Sequence, residues 1–338
     1  MTTVPRSTVI SYLAILLLLI LVGWLRLATP LLTVLFSYFA LTKLRWWRIK
    51  WPAVALFLIL VAAIFYGFVL FLRRAFIALP DIVSTAVPII VHFADRQGID
   101  LPFTDLPTLK DIVLESVRGT LGYLGNFAKI ATKEFVSLVI GVVIAIGIFL
   151  HPEPNLGLNG GMSRTDLYSF YSELLAQRFG SFYRSFERVM GAQLLISAIN
   201  TTLTAIFVLA TSLPYSGVVI ALTFVCGLLP VIGNIISNTV IVGLAFTKSP
   251  QLAGWALAFL VIIHKLEYFL NSKIIGSRIR HPMWLMLLAL ILGERLMGIP
   301  GIIIAPVILS FVKVEASQYD VMQGASAEAP APQSKVGK

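Results

Sequence analysis

Two long apolar segments, each interrupted near its middle by glycine and proline, most restrict what this chain can fold into. They span residues 217–246 and 284–312. At a rise of ~1.5 Å per residue, a straight helix of about thirty residues would be roughly 45 Å long, whereas the hydrocarbon core of a bilayer is about 30 Å thick. Each segment must therefore bend or fold back.

The residues that interrupt the two segments are of the types that break helices. They are Gly227, Pro230 and Gly233 in the first segment and Gly293, Gly298, Pro300 and Gly301 in the second. Glycine frees the backbone, and proline removes an amide donor. Because unwound backbone at membrane depth survives only where it lines a cavity or is buried in protein, paired breaks indicate a transporter's substrate site. A pair of kinked membrane helices is the alternative.

The composition predicts an all-α, polytopic membrane protein. Hydrophobic residues make up 58% of the chain and charged residues 12%, whereas charged residues are about a quarter of a soluble domain. The net charge of +10 comes from short basic clusters beside apolar runs, which indicates orientation in a membrane and no nucleic-acid partner. The single cysteine, Cys226, excludes an intramolecular disulfide.

About eight hydrophobic segments are predicted. They lie at 9–25, 31–41, 52–72, 137–150, 191–213, 217–246, 252–270 and 284–312. The first two are expected to form a tight hairpin. The basic clusters at 43–50 and 273–280 are predicted to be cytoplasmic, which makes the N-terminus cytoplasmic too.

The segments divide the chain into six predicted sections. These are N-terminal transmembrane helices (1–72), an extracytoplasmic helical section (73–132), a transmembrane helix (133–151), cytoplasmic amphipathic helices (152–190), a transport core (191–314) and a disordered tail (315–338). The amphipathic helices either lie on the membrane surface or pack on the transmembrane core, and packing is favoured.

The number of crossings predicts that both interrupted segments fold back. Segment 191–213 ends outside, and 252–270 must begin outside to reach the basic cytoplasmic loop. Segment 217–246 therefore enters and leaves on one side, which favours a re-entrant hairpin bent at 230–233. A second hairpin, bent at 298–301, would enter from the cytoplasm, so that the two tips meet as in several secondary transporters with inverted repeats.

The breaks are predicted to form the substrate pathway, because broken backbone offers free amide donors and carbonyl acceptors to a hydroxylated solute or a monovalent cation. The pathway candidates are Pro230, Gly233, Asn234, Gly298, Pro300 and Gly301, with Asn200 on the polar fifth segment. Asn234 either lends its amide to this cavity or makes a structural bond to a neighbouring helix.

Ionisable residues within apolar segments form a second group of candidates. These are Glu267, with Asn271 nearby, and the adjacent Glu294 and Arg295. A charge buried in a membrane is costly and is normally paired or functional, so each carboxylate is either a proton- or ion-coupling group or part of a structural ion pair. No catalytic constellation, metal-ligand spacing or phosphate-binding loop is present, so neither an enzyme nor a cofactor or metal is expected.

The C-terminal third resembles the AI-2E family of bacterial permeases. The run EYFLNSKIIGSRIRHPMWLMLLALILGERLMGIPGIIIAPV begins at Glu267 and is similar to the end of that family's sequences. The matching positions are Glu267, Asn271, Gly276, His281, Pro282, Gly293, Gly298, Gly301 and Pro306. The chain departs from the family at Asn234, where proline is common, and at Glu294 and Arg295, which replace small residues.

The resemblance implies an exporter in the bacterial inner membrane. Some members of the family are linked to autoinducer-2 and others to sodium/proton exchange, and members are expected to be homo-oligomers, with a pentamer as the expected form. Three hypotheses follow for this chain. It is a secondary transporter that exports a small polar solute, a monovalent cation/proton antiporter, or a membrane scaffold that transports nothing.

Overall fold

The computed structural model describes residues 6–46, 49–98, 124–151, 167–230, 232–275 and 282–327, which contain helices and no strands. The helices are α1 (Arg6–Trp24), α2 (Ala28–Leu44), α3 (Trp51–Gln97), α4 (Leu124–Leu150), α5 (Leu167–Ala210), α6 (Ser216–Gly227), α7 (Ile232–Lys248), α8 (Pro250–Ile275), α9 (Met283–Met297) and α10 (Ile299–Ala327). Within the extracytoplasmic helical section predicted over 73–132, residues 99–123 lie outside the described residues.

The apolar lengths of these helices confirm an all-α membrane protein. Four of the described stretches are long and apolar enough to cross a bilayer, namely Trp51–Ala78, Ala131–Leu150, Glu173–Ala210 and Ile299–Ser317. A fifth arises if α1 and α2 form one broken span. The predicted total of about eight is not confirmed. Helices α1 and α2, for which a tight hairpin was expected, meet at a bend of 116°.

Helix α5 is the long central element, and it runs without a break through residue 190, where a boundary was predicted. Phe182, Phe186 and Met190 on one face of α5 are buried in a common core with Leu35 of α2 and Ile304 of α10. The amphipathic half of α5 therefore packs on other helices. Apolar side chains four residues apart along a helix produce such a continuous buried stripe.

Helices α6 and α7 fold back on each other and are called the first hairpin. Val219, near the start of α6, shares a buried core with Ile241 and Leu244, near the end of α7. The Nζ atom of Lys248 donates a hydrogen bond of 2.9 Å to the carbonyl oxygen of Thr211, just after α5. The segment thus begins and ends beside the same end of α5, as a fold-back requires and a kinked span does not.

Helices α9 and α10 form the second hairpin. Leu290 of α9 is buried against Ile302 and Ala305 of α10. The turn between them is Gly298, whose φ of 65° and ψ of −147° lie in a region open essentially to glycine alone. The break predicted at 298–301 is therefore a sharp reversal of the chain.

Helix α10 runs antiparallel to α5. The rings of Phe182 and Phe311 pack edge to face with their centroids 5.6 Å apart. Further along α10, Glu315 pairs with Arg178, which comes earlier in α5. Rising residue numbers in α10 therefore correspond to falling numbers in α5.

The two hairpins point towards each other from opposite ends of α5. The break at 298–301 lies about eleven residues, or roughly 16 Å, from Phe311 along α10. The same distance along α5 from Phe182 reaches Gln193, whose side chain contacts Gly227 at the first break. Both breaks thus lie near one level of α5.

This arrangement makes a prediction about which residues face which side of the membrane. In a Cys226→Ala background, a cysteine replacing Ser249, between α7 and α8, should react with an impermeant maleimide added outside the cell. A cysteine replacing Arg45, in the basic loop after α2, should react only from the cytoplasmic side. Labelling of position 249 from the cytoplasm alone would contradict the topology.

Candidate functional site

Three polar side chains from three helices meet beside the first break. The Nδ2 atom of Asn234, in the first turn of α7, donates a hydrogen bond of 2.6 Å to Oε2 of Glu267 in α8. The Nδ2 atom of Asn200 in α5 lies 3.4 Å from the same carboxylate oxygen. We call Asn200, Asn234 and Glu267 the amide–carboxylate site. The sequence identified these residues as separate candidates, and the structure joins them.

The carboxylate of Glu267 accepts hydrogen bonds from neutral donors and forms no salt bridge among the side chains that the structure describes, although His264, one turn earlier in α8, is close enough to interact with it electrostatically. An ionised carboxylate in an apolar environment is costly unless a cation or several hydrogen bonds compensate it. Lys265, two residues away, is exposed. The site is therefore suited to bind a proton, a cation or the donor groups of a polar solute.

Two polar side-chain atoms of α5 lack a hydrogen bond in the described structure. They are Oδ1 of Asn200 and Oγ1 of Thr201, and both atoms are buried. Leaving a buried polar atom unpaired costs about 1–3 kcal/mol. Such atoms in a native fold call for a partner such as water, an ion or a ligand. The amide of Asn200 lies beside the carboxylate of Glu267, so that these two side chains supply oxygen atoms to one region.

Side chains of α5 hold the broken end of α6. The Nε2 atom of Gln193 donates a 2.7 Å hydrogen bond to the carbonyl oxygen of Gly227, and Oγ of Ser197 donates one of 2.9 Å to that of Phe224. These bonds satisfy carbonyl groups that the end of a helix leaves free.

Gln193 was among the polar residues expected to turn the fifth segment towards protein or a cavity, whereas Ser197 was not singled out. A usable signal was present, because Gln193, Ser197, Asn200 and Thr204 recur at the spacing of a single helix face. A polar stripe of this kind on an apolar helix indicates a face turned towards protein or a cavity.

Two of the predicted pathway glycines have a packing role that was not foreseen. A Cβ atom on Gly233 would overlap the carbonyl oxygen of Cys226, and one on Gly301 would overlap that of Gly293. Only glycine allows the two arms of each hairpin to approach this closely. Pro230 lies in the turn of the first hairpin, and Pro300 lies in the first turn of α10.

The other charged candidates do not join the amide–carboxylate site in the described part of the chain. Glu294 and Arg295 are exposed, and their charged groups lie 4.0 Å apart at the end of α9. Asn271 is in the last two turns of α8, and its side chain lies outside the described residues. The structure thus separates Glu267 from the Glu294–Arg295 pair.

Comparison with known proteins agrees with this architecture. A family model described as AI-2E family transporter matches residues 9–319, a range that contains both hairpins and all three residues of the site. The chain belongs to the AI-2E transporter family. AI-2E membership and the apolar helices make it a multi-pass membrane protein of the permease type, and transport proteins are not in general enzymes.

One relative of this AI-2E transporter is YdbI of Bacillus subtilis (strain 168), whose name provisionally describes it as a transport protein. The two chains are 28% identical over 211 residues. The match covers 60% of this chain and 57% of YdbI, so little more than half of that protein is represented.

Proposed function

We propose that this AI-2E protein is a secondary transporter that exports a small polar solute by alternating access. The observation that carries the proposal is the amide–carboxylate site, in which a carboxylate without a salt bridge in the described structure lies beside broken backbone. Membrane transporters of several folds place their substrate and coupling-ion sites where helices are discontinuous. A hydroxylated solute related to autoinducer-2 offers both donors to Glu267 and Asn200 and acceptors to the amides.

The site lies at a depth that suits this role. Glu267 is ~25 Å along α8 from the first residue of that helix, and Asn234 follows the tip of the first hairpin. If the hairpin is re-entrant, as its shared end with α5 supports, the site lies in the cytoplasmic half of a hydrocarbon core that is about 30 Å thick. Solute can then reach it from one side at a time as the opposed hairpins move.

A second candidate is exchange of a monovalent cation for a proton. It is favoured by the oxygen atoms of the site, since Glu267 and Asn200 contribute oxygen ligands of the type that hard cations prefer. Protons and cations would compete for the same carboxylate. A scaffold without transport activity has no specific observation in its favour.

We also propose that the protein resides in the bacterial inner membrane with a cytoplasmic N-terminus and forms a homo-oligomer, with a pentamer as the expected form. The basic loop after α2 supports the orientation through the positive-inside rule. The exposed apolar side chains along α3, among them Ile59, Phe65 and Phe76, support burial by lipid or by further copies.

Flux measurements on the purified protein in liposomes test the proposal. Liposomes loaded with autoinducer-2 should lose it faster with protein than without, and Glu267→Gln should slow this loss. A pH-sensitive dye inside the same liposomes reports cation/proton exchange when sodium or potassium is added. Flux of the cations alone would replace the first candidate with the second, and a folded protein that moves no probe would support the scaffold.

A further inference from the structure

A second buried carboxylate, which the sequence placed at the start of a disordered tail, lies in α10. Glu315 is 4% exposed and accepts a hydrogen bond of 2.6 Å from the hydroxyl of Tyr12. Its Oε2 atom lies 2.5 Å from Nη1 of Arg178, and its Oε1 atom accepts a hydrogen bond from Ser181. We call Tyr12, Arg178, Ser181 and Glu315 the ion-pair cluster.

The cluster joins three helices through one side chain of α10. Arg178 and Ser181 belong to α5, and Tyr12 belongs to α1. The guanidinium of Arg178 lies over the ring of Tyr12, 4.4 Å from its centroid, and its Nε is 3.4 Å from Oγ of Ser11. The donors on α1 and α5 thus form a fixed socket, whereas α10 supplies only the carboxylate.

A buried ion pair is a weak device for stability and a good one for specifying an arrangement. Desolvation of the two charges offsets most of their attraction, so well-packed apolar residues often do as well. The charged hydrogen bonds are short and directional, so the carboxylate is either in the socket or out of it. Packed elements with two discrete arrangements are what conformational switches are built from.

Helix α1 connects the ion-pair cluster to the tip of the second hairpin. Tyr12 contacts Glu315 near one end of α1. At the other end, a Cβ atom on Gly23 would lie 3.3 Å from the side chain of Met297, the last residue of α9. Between them, Ile15 packs in the same core as Phe311. The second hairpin therefore touches α1 at both its base and its tip.

We propose that the Arg178–Glu315 pair is a lock on the second hairpin. With Glu315 in its socket, α10 is held against α1 and α5, and the tip of the hairpin rests on Gly23. Release of Glu315 frees the hairpin to move away from α1. The description of that movement as a step of transport rests on the proposed function, whereas the lock itself is defined without any solute.

Disulfide formation between Gly23→Cys and Met297→Cys measures contact at the tip, far from the ion-pair cluster. The shorter cysteine at 297 leaves room for the added side chain at 23. A matched control pair is Phe207→Cys with Phe259→Cys, since these rings stack 4.4 Å apart between α5 and α8 and do not involve α10. Both pairs are made in a Cys226→Ala background, reconstituted in liposomes and oxidised.

The variant that tests the lock is Arg178→Gln with Glu315→Gln, which removes both charges and leaves no unpaired buried ion. The oxidation rate of the 23–297 pair should fall about fivefold or more, as expected when one state loses a contact of ordinary strength. The rate of the 207–259 pair should stay unchanged. Tyr12→Phe, which removes one hydrogen bond and keeps the ring under Arg178, should lower the tip rate about twofold.

Two results would overturn the lock. An unchanged tip rate in both the double variant and Tyr12→Phe would make the ion-pair cluster a local anchor. A parallel fall of the tip and control rates would mean that the pair supports the whole fold. Because disulfide formation needs no solute, neither result depends on whether transport is observed.

Discussion

Replacing Glu267 by glutamine is expected to abolish the pH dependence of transport while leaving the fold intact. Glutamine keeps the volume and an acceptor oxygen of the acid but cannot ionise, so it resembles the protonated carboxylate. The wild-type and variant rates should therefore converge in acid and differ most in alkali, where only Glu267 can become charged. The measurement is the rate of solute loss from loaded liposomes at a series of pH values. The wild-type and variant rates are expected to differ about tenfold at the alkaline end.

Glu294→Gln is the matched control for this experiment. It makes the same chemical change in another carboxylate of an apolar segment, but Glu294 is exposed and has no contact with the amide–carboxylate site in the described residues. Its pH profile should follow that of the wild type. If Glu267→Gln instead lowers the amount of folded protein and leaves the pH profile of the remaining transport unchanged, the role of Glu267 is structural.

The positions of the breaks followed from the sequence because their causes are local. Gly298 adopts a conformation that other residues rarely reach, and that requirement is set within one residue. The fold-back at Pro230 was predicted by counting membrane crossings. That count depends only on where the apolar segments and basic clusters lie along the sequence. Such features need no knowledge of how helices rotate about their axes.

The contacts of the candidate site depend on long-range packing, and the sequence named its members without pairing them. Asn234 and Glu267 lie in different helices, and their bond depends on the rotation of both. The spacing of these residues along the sequence does not indicate that Asn234 donates a hydrogen bond to Glu267. Hydrophobic periodicity indicates the buried face of a helix but not the neighbour that covers it.

At two of the predicted section boundaries the helix continues, for a common physical reason. The boundary predicted at 190 followed a change from amphipathic to apolar composition, but no proline accompanies it, and α5 continues. The tail predicted from 315 followed the low complexity of the residues beyond, whereas α10 continues and Glu315 is buried. Where a helix passes from water into a membrane or a protein core, different side chains become favourable, but the backbone hydrogen bonds stay the same. The helix therefore continues across the boundary.

Replacing Gly301 by alanine is expected to destabilise the second hairpin. The new Cβ atom would overlap the carbonyl oxygen of Gly293 and lie 2.9 Å from Cβ of Met297. The first of these is a backbone atom, which cannot rotate away as a side chain does, so α9 and α10 must separate. Overpacking of this kind costs about 1–3 kcal/mol, and the loss should appear as a lower unfolding temperature in detergent.

Gly243→Ala provides the control, because the same methyl group on α7 would meet no atom within 4 Å. Alanine should there be neutral or stabilise the helix by about 0.5–1 kcal/mol, since it reduces the conformational freedom of the unfolded chain. Equal unfolding temperatures for Gly301→Ala and Gly243→Ala would show that α9 and α10 do not approach as closely as described. A lower unfolding temperature for Gly301→Ala alone would establish that the fold requires the close approach of α9 and α10. Transport defects at this position must then be separated from defects of assembly.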